Sequence, residues 1–467
     1  MAKHQALSTK SQESTKHQIP RKTILELRIL GFFSAWVLGF SAFAPLTAFA
    51  VPADLHYQYY EQVFTLKTQK AWRETIEVPT FRGVQLSFAE GEKIPAGVVM
   101  QPRAIWNREK IAAAIEETIG SAINRERGHV RIFRDEKGEI AFEGFGITGR
   151  KLDPEQTLAL TLVALDNDIP LVQLVVAEEG PELIVEDEEL TKQGIKELVA
   201  IGESDYTGSP NNRKHNIGVG LARFNGHVIP EGEEFSFNEV LGPVNQSTGY
   251  RPELTIVGEK TLPEFGGGLC QVSTTAYRGA WRAGFPITER RNHSYAVRYY
   301  FPPGTDATIY PPATDIRFAN DTEGSLLIQT HAENSLAYFF YYGTKPKERS
   351  VELVGPFTWD PIKPPPDKME YTTEIPPGET RIVSKPVPGM KAAWYRYIRD
   401  ENEERKPEEF LSYYEARPYF EEIGVEALME SPSIVKAPER EIRRIGEDTT
   451  ITLPRNIGSS PRIRIRR

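Results

Sequence analysis

The single cysteine of this 467-residue chain, Cys270, is the residue whose surroundings most suggest chemistry. One thiol cannot form an internal disulfide, so Cys270 is either a buried packing residue or a reactive group. Gly266, Gly267 and Gly268 precede it and would let the backbone turn tightly and a substrate approach closely. The segment "QVSTTAYRGAWRAGF" that follows is predicted to be a helix, which places Cys270 at or just before its N-terminus. The free N–H groups and dipole there would lower the thiol pKa.

A thiolate nucleophile also needs a general base, and His293 is the candidate because it precedes a predicted strand that can direct it. Asp306, after a turn in "PPGTDATIY", is the candidate that orients the imidazole in a triad-like arrangement. Backbone N–H groups around Gln271 and Val272 are predicted to hold an oxyanion. The alternatives are a satisfied core histidine at position 293 and a turn cap at position 306.

Contacts to a substrate are predicted for small and polar residues around the thiol and the histidine. These residues are Gly267, Gly268, Gln271, Ser273, Thr274 and Asn292. Ser273 and Thr274 also fit a simpler role in completing the helix cap.

Other kinds of site fit the sequence poorly. The glycine run lacks the Gly-Lys-Ser/Thr of a phosphate-binding loop and has no βαβ unit around it, so a dinucleotide site is also excluded. His215 and His227 lack the spacing of a zinc motif. We expect neither a metal nor a cofactor. The formal net charge of −9 argues against nucleic acid as a partner.

The N-terminus predicts export. A basic segment precedes an uncharged apolar stretch over residues 29–50, which ends in Ala48-Phe49-Ala50, a pattern typical of signal peptidase sites. The stretch is an export signal that is either cleaved or kept as a membrane anchor. We therefore expect an extracytoplasmic protein in the cell wall or anchored to the membrane.

Local patterns before residue 204 predict a small α+β unit. "VQLSFAEG" suggests a strand, and Asn107 caps a helix with Ile111, Ile115 and Ile119 on its apolar face. "HVRIFRDEKGEIAFEG" suggests a hairpin. Asp153 and Pro154 begin a helix whose predicted buried stripe is Leu158, Leu162 and Leu165, and "PLVQLVVA" follows as a strand. The acidic segment 178–189 suggests a solvated face or linker.

Later patterns predict mostly strands. "SYAVRYYF" alternates like a strand, and "SLLIQTH" with "LAYFFYYG" suggests a hairpin. "KPPP" marks a linker at 363–366, followed by short strands in "YTTEIPPGETRIVSKPVPG" and "KAAWYRYIRD". The arginine-rich end, "PRNIGSSPRIRIRR", suggests a disordered tail that contacts anionic polymers or lipids.

Residues 210–345 resemble a VanW-type domain. The resemblance is carried by "FSFN", "GGGLCQVSTT", "RNHS" and "PPGTDATI", in that order. More loosely, residues 60–200 resemble the peptidoglycan-binding module that accompanies this domain, and the segment after 350 resembles its β-rich wall-associated extension. The implied division is a signal peptide or anchor at 1–50, an α+β module at 51–203, a β-rich VanW-type domain at 204–350, an extension at 351–430 and a tail at 431–467.

The resemblance implies an exported, wall-associated protein. It also implies a peptidoglycan-linked activity, since some members of the family act as L,D-transpeptidases that make 3-3 cross-links. Carried over, Cys270 is the nucleophile and His293 its base. The chain lacks the Ser-His-Gly-Cys signature of other L,D-transpeptidases, and its histidine follows the cysteine. A non-catalytic peptidoglycan-binding scaffold linked to glycopeptide resistance and a cysteine endopeptidase or amidase are the alternatives. Thus the expected partner is peptidoglycan, with membrane association through the N-terminal segment.

Overall fold

The computed structural model describes residues 52–89, 91–257, 260–401 and 404–426, and β-structure dominates it. Strands account for 42% and helices for 20%, which confirms the predicted β-rich character. The predicted export segment and basic tail lie outside the described residues. Among the helices that the structure describes, none has the length and apolar character needed to cross a bilayer.

The first region runs from residue 52 to residue 192 and mixes short strands with helices. Its strands are β1 Asp54–Tyr59, β2 Gln62–Lys67, β3 Arg73–Phe81, β4 Val84–Gln85, β5 Val99–Trp106, β6 His129–Arg134, β7 Ile140–Gly144, β8 Gly149–Leu152, β9 Leu171–Gln173, β10 Val176–Glu179 and β11 Glu182–Val185. Its α-helices are α1 Arg108–Ile115, α2 Ser121–Ile123, α3 Pro154–Asp166 and α4 Glu188–Lys192.

The two helix caps predicted from the sequence of this region are present in the structure. The Asn107 side chain accepts the N–H of Lys110 at 2.8 Å at the start of α1, and Asp153 accepts the N–H of Gln156 at 2.9 Å at the start of α3. The buried face of α3 differs from the predicted leucine stripe. Its fully buried positions include Thr157 and Thr161, and of the predicted leucines only Leu165 is fully buried. The Thr161 hydroxyl pairs with the α3 backbone and with Tyr57, which makes a polar residue acceptable there.

Residues of the first region divide between two hydrophobic cores. Strands β1, β2 and β9 pack with α1 and α3 around Ile111, Ile115 and Trp72. The hairpin β6–β7, predicted correctly at 129–144, instead shares a core with Leu327 and Phe340 of the following region. Hence the hairpin is continuous with the domain that carries the cysteine.

The central region is built on an antiparallel sheet and one long buried helix. Its strands are β12 Glu197–Asp205, β13 Val228–Ile229, β14 Glu234–Ser236, β15 Pro252–Val257, β16 Lys260–Phe265, β17 Ile287–Glu289, β18 Arg317–Ala319, β19 Leu326–Glu333 and β20 Leu336–Gly343. Its α-helices are α5 Asn211–Ala222, α6 Phe237–Leu241 and α7 Leu269–Arg282. The main sheet has the order β12-β20-β19-β13. The predicted boundary between residues 203 and 204 falls inside β12.

The backbone of helix α7 packs directly against the backbone of this sheet, because a glycine of the helix faces a glycine of the sheet at their contact. A Cβ atom added to Gly202 of β12 would lie 1.9 Å from the carbonyl oxygen of Thr275. One added to Gly279 of α7 would lie 2.8 Å from the backbone nitrogen of Gly202. No side chain fits between the two backbones, so the helix has no freedom to slide on the sheet.

The last region forms two small sheets, of which the first packs on the end of α7. Its strands are β21 Ser350–Ile362, β22 Lys368–Thr372, β23 Thr380–Ser384, β24 Gly389–Arg399, β25 Glu408–Tyr414 and β26 Phe420–Gly424. Their orders are β21-β24-β25 and β22-β26-β23. The fully buried Arg396 of β24 donates to the carbonyl oxygens of Trp281 and Phe285 at 3.0 and 2.9 Å, which satisfies acceptors at the C-terminus of α7.

Two predicted strands are wrong in whole or in part. "SYAVRYYF" contains no strand but ends in a 3₁₀ turn at Arg298–Tyr300. The carbonyl oxygens of Tyr300 and Phe301 accept hydrogen bonds from the Arg278 guanidinium instead of from a neighbouring strand. Of its aromatic residues, Tyr295 and Tyr300 are buried whereas Phe301 is exposed, so the alternation does not mark one buried face. Among the described residues of "VQLSFAEG", only Val84–Gln85 forms a paired strand.

Candidate active site at the start of the buried helix

The thiol lies at the start of α7, as the glycine pattern predicted. The helix begins at Leu269, directly after Gly268, and Cys270 is its second residue. Gly266 and Gly268 have φ angles of +84° and +116°, in the left-handed region that disfavours residues with a Cβ atom. The glycine run thus turns the chain from β16 into the helix and leaves Cys270 partly exposed at its end.

Close packing adds a second reason for glycine at this turn. A Cβ atom on Gly267 would lie 2.7 Å from the backbone oxygen of Glu253, and one on Gly268 would lie 3.0 Å from Cγ of Arg213. The carbonyl oxygen of Gly267 also accepts from Asn216 of α5 at 3.0 Å. The turn is therefore held between α5 and the β15–β16 hairpin.

His293 and Asp306 come together beside the thiol. His293 Nδ1 lies 2.6 Å from Asp306 Oδ2, and the backbone N–H of His293 donates to the same oxygen at 2.8 Å. Both side chains are buried. The side chains of His293 and Cys270 also interact through a hydrogen bond. The three residues form the order thiol, imidazole, carboxylate that activates a nucleophile in acyl-transfer enzymes.

The charges of the thiol and the imidazole stabilise each other. Burial raises the pKa of Cys270, but the hydrogen bond with His293 and its positive charge outweigh this effect and lower the pKa to about 7. For His293, burial lowers the pKa, while the bonds to Asp306 and Cys270 raise it to about 9. Between these values the pair is a thiolate and an imidazolium, which is the reactive form of a cysteine nucleophile.

Two backbone-anchored groups complete the environment of the sulfur. The Thr308 hydroxyl lies 3.5 Å from Sγ of Cys270 and can donate to the thiolate, while the Ile309 carbonyl oxygen lies 3.9 Å away. The hydrogen bond from Thr308 also favours a lowered thiol pKa. Thr308 itself is tied to Arg291 by a backbone bond of 2.8 Å.

The carboxylate of Asp306 is more than a turn cap. Burial alone would raise its pKa, but His293 and Arg290 hold it well below the usual range. The Arg290 Nη2 atom lies 3.4 Å from Oδ1, and its Nε donates to the Asp306 carbonyl oxygen at 2.8 Å. The hydroxyl of Tyr414 donates to Oδ1 as well. Asp306 is therefore ionised and oriented at neutral pH.

An aromatic ring covers the imidazole. Tyr300 stacks on His293 with ring centroids 4.6 Å apart and an interplanar angle of 17°. Arg213 of α5 donates to the Tyr300 hydroxyl at 3.4 Å and to Gln271 Oε1 at 2.9 Å. These contacts fix the plane of the imidazole and link it to the start of α7.

The predicted substrate-contacting side chains make protein contacts in this structure. The Ser273 hydroxyl donates to the Ala307 carbonyl oxygen at 2.7 Å, and that of Thr274 accepts the Ala307 N–H at 3.1 Å. The buried Gln271 side chain donates to the Asp205 carbonyl oxygen at 3.2 Å. Asn292 Nδ2 donates to the carbonyl oxygen of Tyr413 at 2.8 Å. Their roles in binding a substrate stay predictions.

The oxyanion role predicted for the Gln271 N–H conflicts with the backbone geometry. That N–H donates to the Gly268 carbonyl oxygen at 2.9 Å, and the Leu269 N–H donates to Gly266 at the same distance. Between them lies the N–H of Cys270, in the first turn of the helix, where N–H groups lack an intrahelical acceptor.

A surface depression of about 320 Å³ lies elsewhere, between α5 and β19, and none of the three triad residues lines it. In the described parts of the chain, no cluster of three or more His, Cys, Asp or Glu residues has the arrangement of a metal site.

Several residues of the site were missed from the sequence. Thr308 lies within the quoted motif "PPGTDATI", and Arg290 directly precedes "RNHS", so their closeness in sequence to Asp306 and His293 was a usable signal. Arg213 and Tyr300 carry no local pattern that separates them from ordinary surface or core residues. Tyr414 lies far along the chain and is brought in only by the pairing of β24 with β25.

Comparisons with known proteins agree with the resemblance. Residues 212–341 match the family model described as VanW like protein. The uncharacterized protein YoaR of Bacillus subtilis (strain 168) is 37% identical over 124 residues, covering 27% of this chain and 41% of that protein. The vancomycin B-type resistance protein VanW of Enterococcus faecalis (strain ATCC 700802 / V583) is 30% identical over 118 residues, covering 24% of this chain and 42% of that protein.

The chain therefore spans about two fifths of the length of the curated relatives it matches. No solved structure matches it significantly. The matched segment includes Cys270, His293 and Asp306, whereas Tyr414 lies beyond it.

Proposed function

Since residues 212–341 form a VanW-type domain, we propose that this chain is an exported cell-wall protein in which Cys270 transfers an acyl group of peptidoglycan stem peptides. The observation that carries the proposal is the buried His293–Asp306 pair beside a thiol of lowered pKa. The Enterococcus relative is named for vancomycin resistance, and the proposal extends that link to this chain.

In the first half-reaction the thiolate of Cys270 attacks the carbonyl carbon of the third stem-peptide residue. A bond forms between Sγ and carbon, and the negative charge moves to the carbonyl oxygen, which the Cys270 N–H stabilises. The bond from carbon to the nitrogen of the terminal D-alanine then breaks. The His293 imidazolium gives its proton to this leaving amine, so the enzyme is left as a thioester with a neutral imidazole.

In the second half-reaction a side-chain amine of a neighbouring stem peptide attacks the thioester. His293 takes a proton from the amine as the new amide bond forms, and the bond from carbon to Sγ breaks. Thiolate and imidazolium are restored, and one peptide cross-link replaces one terminal amide bond. Asp306 stays ionised throughout and keeps the imidazole in the orientation that serves both steps.

The test is to incubate the purified chain with a stem tetrapeptide carrying a free side-chain amine and to analyse protein and products by mass spectrometry. We expect an acyl adduct on Cys270, release of D-alanine and a cross-linked dimer, all lost in Cys270→Ala. D-alanine release without a dimer would reassign the chain to hydrolysis, as in an endopeptidase or amidase. Neither adduct nor product would replace the enzyme with a non-catalytic peptidoglycan-binding scaffold.

Export and wall association are tested separately. A reporter that works only outside the cytoplasm, fused after residue 60, should be active because residues 29–50 direct export. The full chain should also sediment with insoluble peptidoglycan in wild-type and Cys270→Ala forms. A reporter active only inside the cell, or protein that stays in the supernatant, would contradict these two parts of the proposal.

A further inference from the structure

The carboxylate of Asp306 is held by a residue from outside the VanW-type domain. Tyr414 is the last residue of β25, and its side chain is buried. Its hydroxyl donates to Asp306 Oδ1 at 2.5 Å and accepts the N–H of Gly304 at 2.7 Å. The Tyr414 hydroxyl therefore links the Asp306 carboxylate to the backbone of Gly304, in the loop that carries Asp306.

The end of β25 also holds the segment around His293. The Ser412 hydroxyl accepts from Arg290 Nη1 at 2.8 Å, and the Tyr413 carbonyl oxygen accepts from Asn292 Nδ2 at 2.8 Å. The N–H of Glu415 donates to the carbonyl oxygen of Ser294 at 2.7 Å. Residues 412–415 thus bond to both flanks of the histidine.

The two oxygens of Asp306 have separate partners. Oδ2 accepts the ring and backbone N–H groups of His293, whereas Oδ1 accepts from Tyr414 and Arg290. Tyr414 therefore sets which oxygen faces the imidazole. We propose that the C-terminal region is an integral part of the active site and that Tyr414 is a positioning residue, acting on the thiol through Asp306 and His293. This inference rests on the proposed function.

The test compares Tyr414→Phe with Tyr413→Phe in the full chain. Both changes remove one hydroxyl from β25, but the Tyr413 side chain is 56% exposed and its bond to Asn292 is made by the backbone. The readout is the midpoint pH of Cys270 alkylation. In Tyr414→Phe we expect the midpoint to rise by about half a unit to one unit, because a loosened carboxylate supports the imidazolium less well. In Tyr413→Phe it should not move. A wild-type midpoint in Tyr414→Phe would overturn the proposal.

Circular dichroism shows whether Tyr414→Phe folds. If it does not, Ser412→Ala serves as the second variant for the same test. It removes the Arg290 partner and should shift the midpoint in the same direction by a smaller amount, and an unshifted midpoint would then refute the proposal. Alkylation needs no peptide substrate. A chain that forms no cross-links but shows these shifts would therefore contradict the proposed transfer and still support the role of Tyr414.

Discussion

One oxygen of Asp306 accepts two hydrogen bonds from His293, from ring Nδ1 at 2.6 Å and from the backbone N–H at 2.8 Å. Because both donors belong to one residue, the bonds fix the position of the main chain and the rotation of the ring together. Nε2 is then the ring nitrogen left to face Cys270. The protonation behaviour of the thiol therefore depends on a carboxylate that it does not contact directly.

The pH dependence of labelling and turnover should differ. Alkylation needs only the thiolate, so its rate should rise through about pH 7 and then stay level. Turnover also needs the imidazolium, so it should rise through about pH 7 and fall through about pH 9 as His293 loses its proton. Stopped-flow alkylation and product formation, measured on the same protein, check both curves. An alkylation midpoint near that of a free thiol would contradict the ion pair.

Asp306→Asn should raise the pKa of Cys270. The neutral amide no longer supports the imidazolium, so less of the thiol is ionised at neutral pH. Starting from a pKa of about 7, a rise of one unit lowers the thiolate fraction at pH 7 from about a half to about a tenth, so alkylation should slow by roughly fivefold. Asp321→Asn is the control, because that carboxylate pairs with Arg349 and Arg405 away from the thiol. Equal alkylation rates in the two variants would argue against a charge effect of Asp306.

Cys270 and His293 should behave as one unit in turnover. Cys270→Ala should abolish product, while His293→Ala should lower the rate by about 10²–10⁴, the usual contribution of a general base. Since residues that act together are non-additive, the double variant should lose little more than Cys270→Ala alone. Single-turnover product analysis gives the comparison. Full activity in Cys270→Ala would end the enzyme hypothesis.

Gly268→Ala should destabilise the chain by about 1–2 kcal/mol, the cost of the left-handed backbone for a residue with a Cβ atom. Its φ is +116°, and the new atom would also press on Arg213. Gly218→Ala is the matched control, because a Cβ atom there meets nothing within 4 Å. In the interior of α5 that change should be neutral or stabilising by up to about 1 kcal/mol. Denaturant unfolding measures both, and equal effects would contradict the assigned strain.

Glu61→Gln should be strongly destabilising. Arg282, the last residue of α7, donates to both carboxylate oxygens of Glu61 at 2.7 Å, and both side chains are buried. Breaking a buried ion pair by removing one charge costs about 3–5 kcal/mol of unfolding free energy. Glu74→Gln removes one partner of an exposed pair with Lys110 and should leave the melting temperature almost unchanged. Calorimetry of both variants should show this contrast.

The position of Cys270 at the start of a helix was predictable, and His293 and Asp306 could be proposed as its partners, because each left a local signal. A single cysteine after glycines, a helical pattern behind it and a histidine in a turn are short-range features. The caps at Asn107 and Asp153 and the hairpins at 129–144 and 326–343 were predictable for the same reason.

The contact by which Tyr414 holds Asp306 was not predictable, because it depends on the pairing of strands far from Asp306 in the sequence. Tyr414 meets Asp306 only after β25 is placed beside β24, and nothing in "LSYYEAR" marks the second tyrosine. The strand predicted for the segment "SYAVRYYF" was wrong for a related reason. Its alternating residues are typical of a strand, but the segment ends in a 3₁₀ turn in which Tyr300 is buried and the next residue, Phe301, is exposed.

The position of Glu61 and Tyr414 in the chain has a kinetic consequence. Glu61 precedes Arg282 by 221 positions, and Tyr414 follows Asp306 by 108. Contacts between such distant residues form late, because a long loop must close before they contribute. We therefore expect the thiol of an incompletely folded chain to have ordinary reactivity, and its lowered pKa to appear only once both ends of the protein have folded around the helix. In refolding experiments, fast alkylation of Cys270 should be the last signal to recover.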